Sequence, residues 1–400
     1  MTSPPRVLAV ADADSYLKWA AWTVAGLPGT SRPGAGVPGV VVVRSPLAPG
    51  PAQARAAVAG TGLAAPPTLG PRAIGDLVAR TTPDVVLLAA TGPVAELVAR
   101  QILRVTRRGC RPALVTGLPG MALPATPQGT GWRRWADAFV VHGPQEVAPY
   151  AAAFRAHGVA PRLVLSRLPF MPRAGTGPQG PPASSRRVVF AAQAKVPATR
   201  ADRVRLLDGL AGLTDAGLEV VVKLRARGGE RQTHNEPFPL DVLWDAEHGR
   251  LGRSPGDLAF AVGPLSDHLG PGTALATVSS TAALESLARG LPTVLVRDFG
   301  VGPDQLNEAF AGSGCLRDLD EIADTLRGGG PVPDAAWCAD GYLHTRDDLP
   351  AAVAELGDRA RRGVLPRPAT TAPWSWRRHA WAVGRSALPT AVSARLRRRP

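Results

Sequence analysis

The sequence has few cysteines and no long apolar run, and both shortages limit what the protein can be. Its three cysteines are far apart and odd in number, so they predict neither a disulfide framework nor a zinc site. The sequence contains no run of about 18 apolar residues, so it predicts no helix that spans a membrane. Asp12 and Asp14 stand where a signal peptide would need an apolar stretch. We therefore expect a cytoplasmic protein.

Lysine is scarce as well, since only three of the 46 basic residues are lysines. The formal charge of +14 suggests nucleic acid as a partner until its location is considered. Ten arginines and no acidic residue lie within 361–400, so the first 360 residues carry only +4. Basicity is a property of the tail, and we expect no nucleic-acid partner.

Apolar strands and amphipathic helices alternate along most of the 400 residues, of which 45% are hydrophobic. Strands are predicted at 6–11, 40–44, 84–90, 112–117, 137–143, 187–194, 218–226, 257–265, 274–280 and 292–299. Helices are predicted at 16–25, 74–80, 93–108, 144–158, 199–216, 281–290, 318–327 and 350–361. Strands without polar alternation are typical of parallel sheets covered on both faces, so the pattern predicts an α/β fold.

A segment rich in Gly, Pro and Ser interrupts this alternation and predicts two domains. We assign 1–172 to an N-terminal Rossmann-like domain, 173–186 to a linker and 187–366 to a C-terminal Rossmann-like domain, with 367–400 as a tail. Two such halves are expected to leave a cleft. Open parallel sheets bind ligands beyond the carboxyl ends of their strands, so the loops after strands are the candidate sites.

The segment VSSTAALESLARGLPTVLVRDF at 278–299 is the most informative of these loops. Ser279, Ser280 and Thr281 occupy the turn between a strand and a helix, where hydroxyls and free backbone N–H groups can meet an anion. Glu285 lies one turn further and is expected to point outward, toward a sugar hydroxyl. The alternative is an ordinary capped helix with a solvated glutamate.

This segment resembles a motif of the GT-B glycosyltransferases, in which a small-residue turn, a Glu, a Gly and a Pro recur at fixed spacing. Ser279, Ser280, Glu285, Gly290 and Pro292 match it. The resemblance implies a metal-independent enzyme without a resident cofactor, whose co-substrate is a nucleotide-sugar. It implies that the turn holds the donor phosphates and that the Glu binds the ribose.

More narrowly, the opening VLAVADADSYLKWA and the stretch VVVKLRARGGERQTHNE look like an uncharacterised actinobacterial group of glycosyltransferases. That group is distantly similar to the capsule, polysialic-acid and glycerophosphate polymer transferases. The resemblance implies an acceptor of the cell envelope or a polysaccharide, glycan or lipid-linked.

The loop after strand 218–226 gathers charged residues in the order Lys223, Arg225, Glu230 and His234. Two cations beside a phosphate turn would neutralise a leaving pyrophosphate. In the related polymer transferases this position reads Lys-x-His-Pro, and here the His-Pro is absent. Either Arg225 replaces that histidine or His234 returns from the loop. The alternative is an exposed charged loop.

Asp12 and Asp14 follow the first strand in an acidic turn. A transferase that inverts the sugar configuration needs a base for the proton of the acceptor hydroxyl, and either carboxylate is a candidate. Asp14 could instead only cap the helix that follows. Lys18 and Trp19 could line the same site, although Trp19 fits the core better.

Three weaker candidates for contacts with the acceptor or the donor sugar also follow strands. Gln128 lies in a Gly- and Pro-rich loop at 117–134, predicted to be long and without regular structure. His142 follows strand 137–143, where a structural role is the alternative, and Asn307 follows the last predicted strand.

The tail places Trp374, Trp376 and Trp381 among its arginines. It is predicted to be a helix that crosses back to the N-terminal domain. A peripheral contact with anionic lipid at the inner face of the plasma membrane is compatible with that helix.

The sequence therefore predicts a glycosyltransferase. Three alternatives remain open: a sugar-nucleotide 2-epimerase of similar fold, a transferase of glycerophosphate from a CDP carrier, and a non-catalytic GT-B-like module.

Overall fold

A computed structural model describes residues 3–29, 37–106, 111–171, 184–225, 227–228, 236–366 and 368. The described residues form two compact units. The first unit contains those up to Pro169 together with those from Arg346 onward, and the second contains Phe170–Thr345. No helix in the described part of the chain is both long and apolar enough to cross a membrane.

The first unit is built on a parallel sheet, with seven strands among the described residues. The strands are β1 (Val7–Ala11), β2 (Val40–Val43), β3 (Thr68–Leu69), β4 (Val85–Ala89), β5 (Ala113–Gly117), β6 (Ala138–Val141) and β7 (Arg162–Leu165). The helices between them are α1 (Asp14–Gly26), α2 (Pro51–Val58), α3 (Pro71–Thr81), α4 (Gly92–Val105), α5 (Pro127–Gly131) and α6 (Pro144–Arg155). The strand order is β3-β2-β1-β4-β5-β6-β7.

Both faces of this sheet are covered, which explains the unbroken apolar strands. Val7, Ala9 and Ala11 of β1 pack in one core cluster with residues of α1 and α2. Leu8 and Val10 of the same strand point into a second cluster, formed with residues of α3 and α4. Successive strand side chains alternate between faces, so a strand buried on both sides must be apolar at every position.

The second unit repeats this architecture with a sheet of six parallel strands among the described residues. Its strands are β8 (Arg187–Ala191), β9 (Glu219–Lys223), β10 (Ala259–Ala261), β11 (Thr273–Thr277), β12 (Thr293–Val296) and β13 (Leu316–Arg317). Its helices are α7 (Arg200–Asp215), α8 (Leu240–Glu247), α9 (Ala282–Ala288), α10 (Ile322–Arg327) and α11 (Ala335–Asp340). The strand order is β10-β9-β8-β11-β12-β13.

Short 3₁₀ turns occur at Pro255–Asp257, Leu265–Asp267, Pro303–Gln305, Glu308–Phe310 and Leu319–Glu321. The core of the second unit gathers apolar residues of β8, β9, β11 and β12 with the buried faces of α7 and α8. Trp244 of α8 is 1% exposed and is the largest side chain in this core.

A last helix, α12 (Leu349–Arg361), returns to the first unit. Leu349, Val353 and Leu356 join the core cluster of β1 and α1. Arg361 pairs with the buried Asp84 at 3.2 Å, and Arg6 pairs with the same carboxylate at 3.4 Å. Residues 346–361, which we assigned to the C-terminal domain, therefore pack with the N-terminal one.

The predicted α/β class with parallel sheets is confirmed, and the predicted strands and helices are present with ends that shift by a few residues. The predicted linker 173–186 falls mostly, and the predicted tail helix entirely, outside the described residues.

Candidate active site

The first candidate site lies where the strand order of the first sheet reverses. β1 and β4 are neighbours, but the chain continues from β1 toward β2 and from β4 toward β5. Asp12 directly follows β1, and Thr91 follows β4. Open parallel sheets bind ligands at such a switch point, beyond the carboxyl ends of the strands.

Asp12 and Thr91 are bonded to each other across this switch point. The backbone N–H of Thr91 donates to both carboxylate oxygens of Asp12, at 3.0 and 3.1 Å, and the Thr91 hydroxyl donates to Oδ2. Asp12 is 0% exposed. Its carboxylate is therefore fixed by the loop that follows the neighbouring strand.

Burial raises the pKa of Asp12 from 3.8 to about 6. The hydrogen bonds from Thr91 and the positive charge of Arg133 oppose this shift, but the loss of solvent outweighs them. A carboxylate with a pKa near 6 is ionised at neutral pH and is a stronger base than an exposed aspartate. A catalytic role for Asp12 stays a prediction.

Arg133 is the cation beside this carboxylate and is only 3% exposed. Its guanidinium donates to the carbonyls of Gly129 at 3.0 Å and Ala90 at 2.9 Å, and to the Tyr16 hydroxyl at 3.3 Å. Its Nε is buried and has no hydrogen-bond partner among the described residues. Arg133 ties the α5 segment to the end of β4.

A cavity of about 400 Å³ opens beside these residues. Aromatic rings, small residues and a few polar groups line it: Tyr16, Thr91, Gly92, Pro93, Leu118, Pro124, Thr126, Gln128, Gly129, Trp132, Arg133, Phe139 and Tyr150. The predicted candidate Gln128 is exposed and belongs to this wall. A mostly apolar wall with a few polar groups is typical of sites for small organic molecules.

The segment 117–134 is not the structureless loop that we expected. It contains α5, whose N-terminus is capped by the Thr126 hydroxyl accepting from Gly129 N–H at 3.1 Å. The buried carboxylate of Glu146 accepts the backbone N–H groups of Ala122 and His142, each at 2.7 Å. These bonds hold one wall of the cavity in place.

Asp14 is not the helix cap that the sequence allowed. α1 begins at Asp14 itself, its N-cap residue is Ala13, and no side chain bonds the cap. Asp14 is half-buried, in the first turn of the helix. Trp19 is fully buried in the core cluster, as the sequence favoured.

Two weaker candidates have structural partners. His142 is 1% exposed, and its Nδ1 lies 2.8 Å from the Ser166 carbonyl oxygen. Asn307 is 0% exposed and bridges its own loop, accepting from Gly302 N–H at 2.9 Å and donating to the Gly300 carbonyl at 3.0 Å. Both side chains stabilise loops after strands, so a direct sugar contact by either stays a prediction.

The second candidate site lies at the switch point of the second sheet, between β8 and β11. The Gln193 side-chain oxygen accepts the backbone N–H of Ser279 at 2.8 Å, which joins the loops after these two strands. The Thr277 hydroxyl donates to the Ala191 carbonyl at 2.8 Å. Polar groups therefore connect the strand ends at both switch points.

The predicted phosphate turn lies at this junction. Ser279 is 5% exposed, and its hydroxyl donates to the Leu306 carbonyl. The Ser280 hydroxyl accepts from Ala282 N–H at 3.2 Å, within the turn that leads into α9. Ser280 and Thr281 are half-buried. A contact of this turn with the donor phosphates stays a prediction.

Glu285 does not point outward as predicted. Ala282–Ser286 are all buried, and Glu285 itself is 8% exposed. This excludes the alternative of a solvated glutamate. A carboxylate is rarely buried without polar partners. The ribose contact stays a prediction.

Lys223 is the last residue of β9 and lies beside Ala191 of β8 in register. Since β8 separates β9 from β11, these two strands run about 10 Å apart, and Lys223 lies at the same sheet edge as the Ser279 turn. Arg225 is exposed two residues further. Glu230 and His234 lie outside the described residues.

A buried arginine orders the loop that carries Gln193. Arg203 of α7 is 1% exposed and donates to the carbonyls of Ala194 at 2.7 Å and Pro197 at 2.8 Å. Its guanidinium also pairs with Glu236 at 2.6 Å. The hydrogen bonds from Arg203 therefore stabilise the loop that carries Gln193.

Within the described ranges, no group of three His, Cys, Asp or Glu side chains could hold a metal ion.

A family model described as "Putative glycosyltransferase (DUF6716)" matches residues 7–356. The chain belongs to this family. The predicted assignment to the glycosyltransferases is confirmed by this match, which spans both units. No curated protein sequence matches the chain.

Solved structures with a similar fold include three with low sequence identity. The glycotransferase of kitacinnamycin is 16% identical, with a TM-score of 0.40, 97% of this chain covered and 100% of the other. A UDP-glucosyltransferase from Polygonum tinctorium is 13% identical, with a TM-score of 0.46 and coverages of 97% and 100%. The UDP-GlcNAc 2-epimerase from Methanocaldococcus jannaschii is 10% identical, with a TM-score of 0.47 and coverages of 81% and 90%.

Sequence reasoning assigned no functional role to Gln193, Thr91, Arg133 or Arg203. Gln193 bonds Ser279, 86 residues away along the chain, and Thr91 bonds Asp12, 79 residues away. The available signal was their position, since both follow strands at a sheet reversal.

Proposed function

We propose that this glycosyltransferase moves a sugar from a nucleotide-sugar to a hydroxyl acceptor, with the acceptor at the first unit's switch point and the donor at the second's. The observation that carries this proposal is the Asp12–Thr91 pair, in which a buried carboxylate with a raised pKa is bonded to a residue that lines a cavity. Perturbed carboxylates beside cavities are typical of catalytic sites.

In the proposed reaction the acceptor oxygen attacks the anomeric carbon as its proton leaves toward Asp12. The bond between the anomeric carbon and the phosphate oxygen breaks, and its electron pair leaves with the nucleoside diphosphate. Negative charge therefore grows on the leaving phosphate, and fixed donors and cations at that position stabilise the transition state.

The donor residues proposed from the motif are Ser279, Ser280 and Thr281 for the phosphates, with Lys223 and Arg225 as the cations and Glu285 for the ribose. Two facts support the turn: it lies at a switch point, and Gln193 fixes its backbone. Lys223 lies at the same sheet edge. We propose that Glu230 and His234 belong to the same site and that no metal ion takes part.

The proposed acceptor is a glycan or a lipid-linked molecule of the cell envelope, within the narrower polymer-transferase resemblance of the sequence. The arginines and tryptophans of 367–400 support this proposal, because such side chains favour an anionic membrane surface. Flotation with anionic vesicles should fall when 387–400 is removed, and unchanged flotation would contradict the membrane contact.

Thermal shift with UDP-, GDP-, CDP-, CMP- and dTDP-linked carriers tests the donor site, because a ligand that binds the native state raises its melting temperature. We expect one nucleotide class to raise it, and Glu285→Gln and Lys223→Ala to weaken that shift. Arg44→Ala, on an exposed residue of the first unit, is the control. If no carrier shifts the wild type, the proposed donor site is contradicted and the non-catalytic alternative is favoured.

The bound carrier also separates the two enzymatic alternatives. A 2-epimerase would invert the configuration at C2 of the sugar and would need no acceptor. NMR would detect the product as a second nucleotide-sugar. A glycerophosphate transferase would bind CDP-glycerol in preference to every nucleotide-sugar. Glycosyl transfer predicts release of the nucleotide with formation of a new glycoside.

A further inference from the structure

The proposed base does not reach the cavity by itself. Asp12 is 0% exposed and is not among the residues that line the 400 Å³ cavity, whereas Thr91 and Arg133 are. An acceptor hydroxyl in that cavity would meet the Thr91 side chain before it could meet the carboxylate.

The Thr91 hydroxyl is oriented for this position. Thr91 is the N-cap residue of α4, yet its side chain does not cap the helix. The hydroxyl instead donates its proton to Asp12 Oδ2. A hydroxyl that donates one hydrogen bond still has two lone pairs, so it can accept one from a ligand.

We propose that Thr91 is a catalytic residue that touches the acceptor and relays its proton to Asp12; this proposal rests on the proposed function. The acceptor O–H bond breaks as its proton moves to Thr91 Oγ1. The original Thr91 hydroxyl proton moves to Asp12 Oδ2 at the same time, so the carboxylate becomes a carboxylic acid and Thr91 stays neutral. The acceptor oxygen keeps the electron pair for the attack.

The other titratable groups at the cavity do not provide this path. Burial raises the pKa of both Tyr16 and Tyr150, so neither phenol is ionised at neutral pH. Arg133 has no basic lone pair, because its guanidinium stays charged. No Asp or Glu side chain is among the residues lining the cavity in the described part of the chain. Asp12 is therefore the nearby base, and Thr91 lies between it and the cavity.

The test compares Thr91→Val, Thr91→Ser and Asp12→Asn by nucleotide release, with water as the acceptor probe and the carrier found by thermal shift as the donor. We expect Thr91→Val to lose about a hundredfold in rate and Thr91→Ser to keep most of it. The double variant Thr91→Val/Asp12→Asn should be no slower than Asp12→Asn, because residues that act as one unit are not additive.

Thr116→Val is the matched control, since it removes a threonine hydroxyl that is buried and bonded to the Leu88 carbonyl at 2.7 Å. Its rate should stay near that of the wild type. The relay is overturned if Thr91→Val is as active as this control while Asp12→Asn is inactive. If Asp12→Asn itself keeps the rate, the proposed base is wrong instead, so the two failures are distinguishable.

A second readout needs no donor. The carboxyl ¹³C shift of Asp12, followed against pH, should show a higher pKa in Thr91→Val than in the wild type, because the valine cannot donate to the carboxylate. Thr91→Ser should restore the wild-type midpoint. Identical midpoints in all three proteins would mean that the hydroxyl does not bond Asp12, and the relay would be wrong.

Discussion

Asp12 is a residue whose full burial conflicts with its charge. The carboxylate loses its hydration, and the hydrogen bonds from Thr91 together with the charge of Arg133 recover only part of that loss, so its pKa rises to about 6. Folding therefore carries an unfavourable contribution from this side chain at neutral pH. Such a cost is typical of a residue retained for function.

Asp12→Asn should change how stability depends on pH. Because the folded pKa of Asp12 lies above the unfolded value, the wild type binds this proton more tightly when folded and loses stability as pH rises from about 4 to above 6. The loss is about 3 kcal/mol, from a shift of roughly two pKa units. Asparagine does not titrate. The stability of Asp12→Asn relative to wild type should therefore rise by about that amount between pH 4 and pH 7 in urea titrations.

Parallel curves for the two proteins over this range would contradict the raised pKa.

Gln193 is the residue that fixes the proposed phosphate turn. Gln193→Leu leaves the Ser279 N–H without its acceptor, which should cost about 1–3 kcal/mol of stability. We also expect nucleotide affinity to fall about tenfold, because the turn is no longer held. Calorimetry with the nucleotide from the thermal-shift screen measures this, with Gln101→Leu of the first unit as control. Lower stability with unchanged affinity would mean that Gln193 supports the fold alone.

At the scale of elements, α12 belongs to the first unit, although the sequence assigned it to the C-terminal domain. Leu356 is 3% exposed in the core of the first unit, whereas Val364, shortly after the helix, is 54% exposed. Leu356→Ala should cost about 2–4 kcal/mol of unfolding free energy, since it leaves a cavity in a packed core. Val364→Ala should cost less than about 0.5 kcal/mol. Equal costs in chemical denaturation would show that α12 does not pack on this unit.

The start of α4 limits the shape of the cavity. A Cβ added at Gly92 would lie 2.5 Å from Cδ1 of Trp132, a residue of the cavity wall. Gly92→Ala should therefore displace the indole and cost about 1–3 kcal/mol in denaturation. Gly26→Ala is the control, because nothing lies within 4 Å of the added atom. A Gly92→Ala protein as stable as this control would contradict the close contact.

The sequence predicts the strands and helices that have a clear local pattern of apolar residues. β1, β2 and β4 are unbroken apolar runs, and the predicted helices have nearly the observed lengths. The sequence misses α2, β3, α5, β7, α8, β13 and α11. β3 and β13 have two residues each and exist because a neighbouring strand pairs with them, and α5 has only five residues. Such elements depend on tertiary contacts, which a local pattern does not contain.

In the candidate site, too, local features are predictable from the sequence and tertiary contacts are not. Asp12 and the Ser279 turn are predictable because each directly follows a strong strand. The pairing of Asp12 with Thr91 and of Ser279 with Gln193 depends on which strands are neighbours, and the sequence does not state the strand order. Burial of Glu285 was mispredicted for a similar reason, since α9 is enclosed on more faces than its apolar stripe indicates.

At the scale of the molecule, two units of one architecture carry polar junctions at equivalent positions. In each sheet the loops after the two strands at the reversal are bonded to each other, through Asp12 and Thr91 in the first and through Gln193 and Ser279 in the second. The first junction contains a base beside a cavity, and the second contains a turn with hydroxyls. This division fits the two substrates of a transferase.

The role of Asp12 as the base is tested most directly by the pH dependence of nucleotide release from the nucleotide-sugar. This rate is measured for the wild type and for Asp12→Asn. In the wild type kcat/KM should rise about tenfold per pH unit below about 6 and then level off, because only the ionised carboxylate accepts the proton. Asp12→Asn should be at least about a hundredfold slower and lack this rise. A variant that keeps the wild-type rate and profile would contradict the central claim that Asp12 is the base.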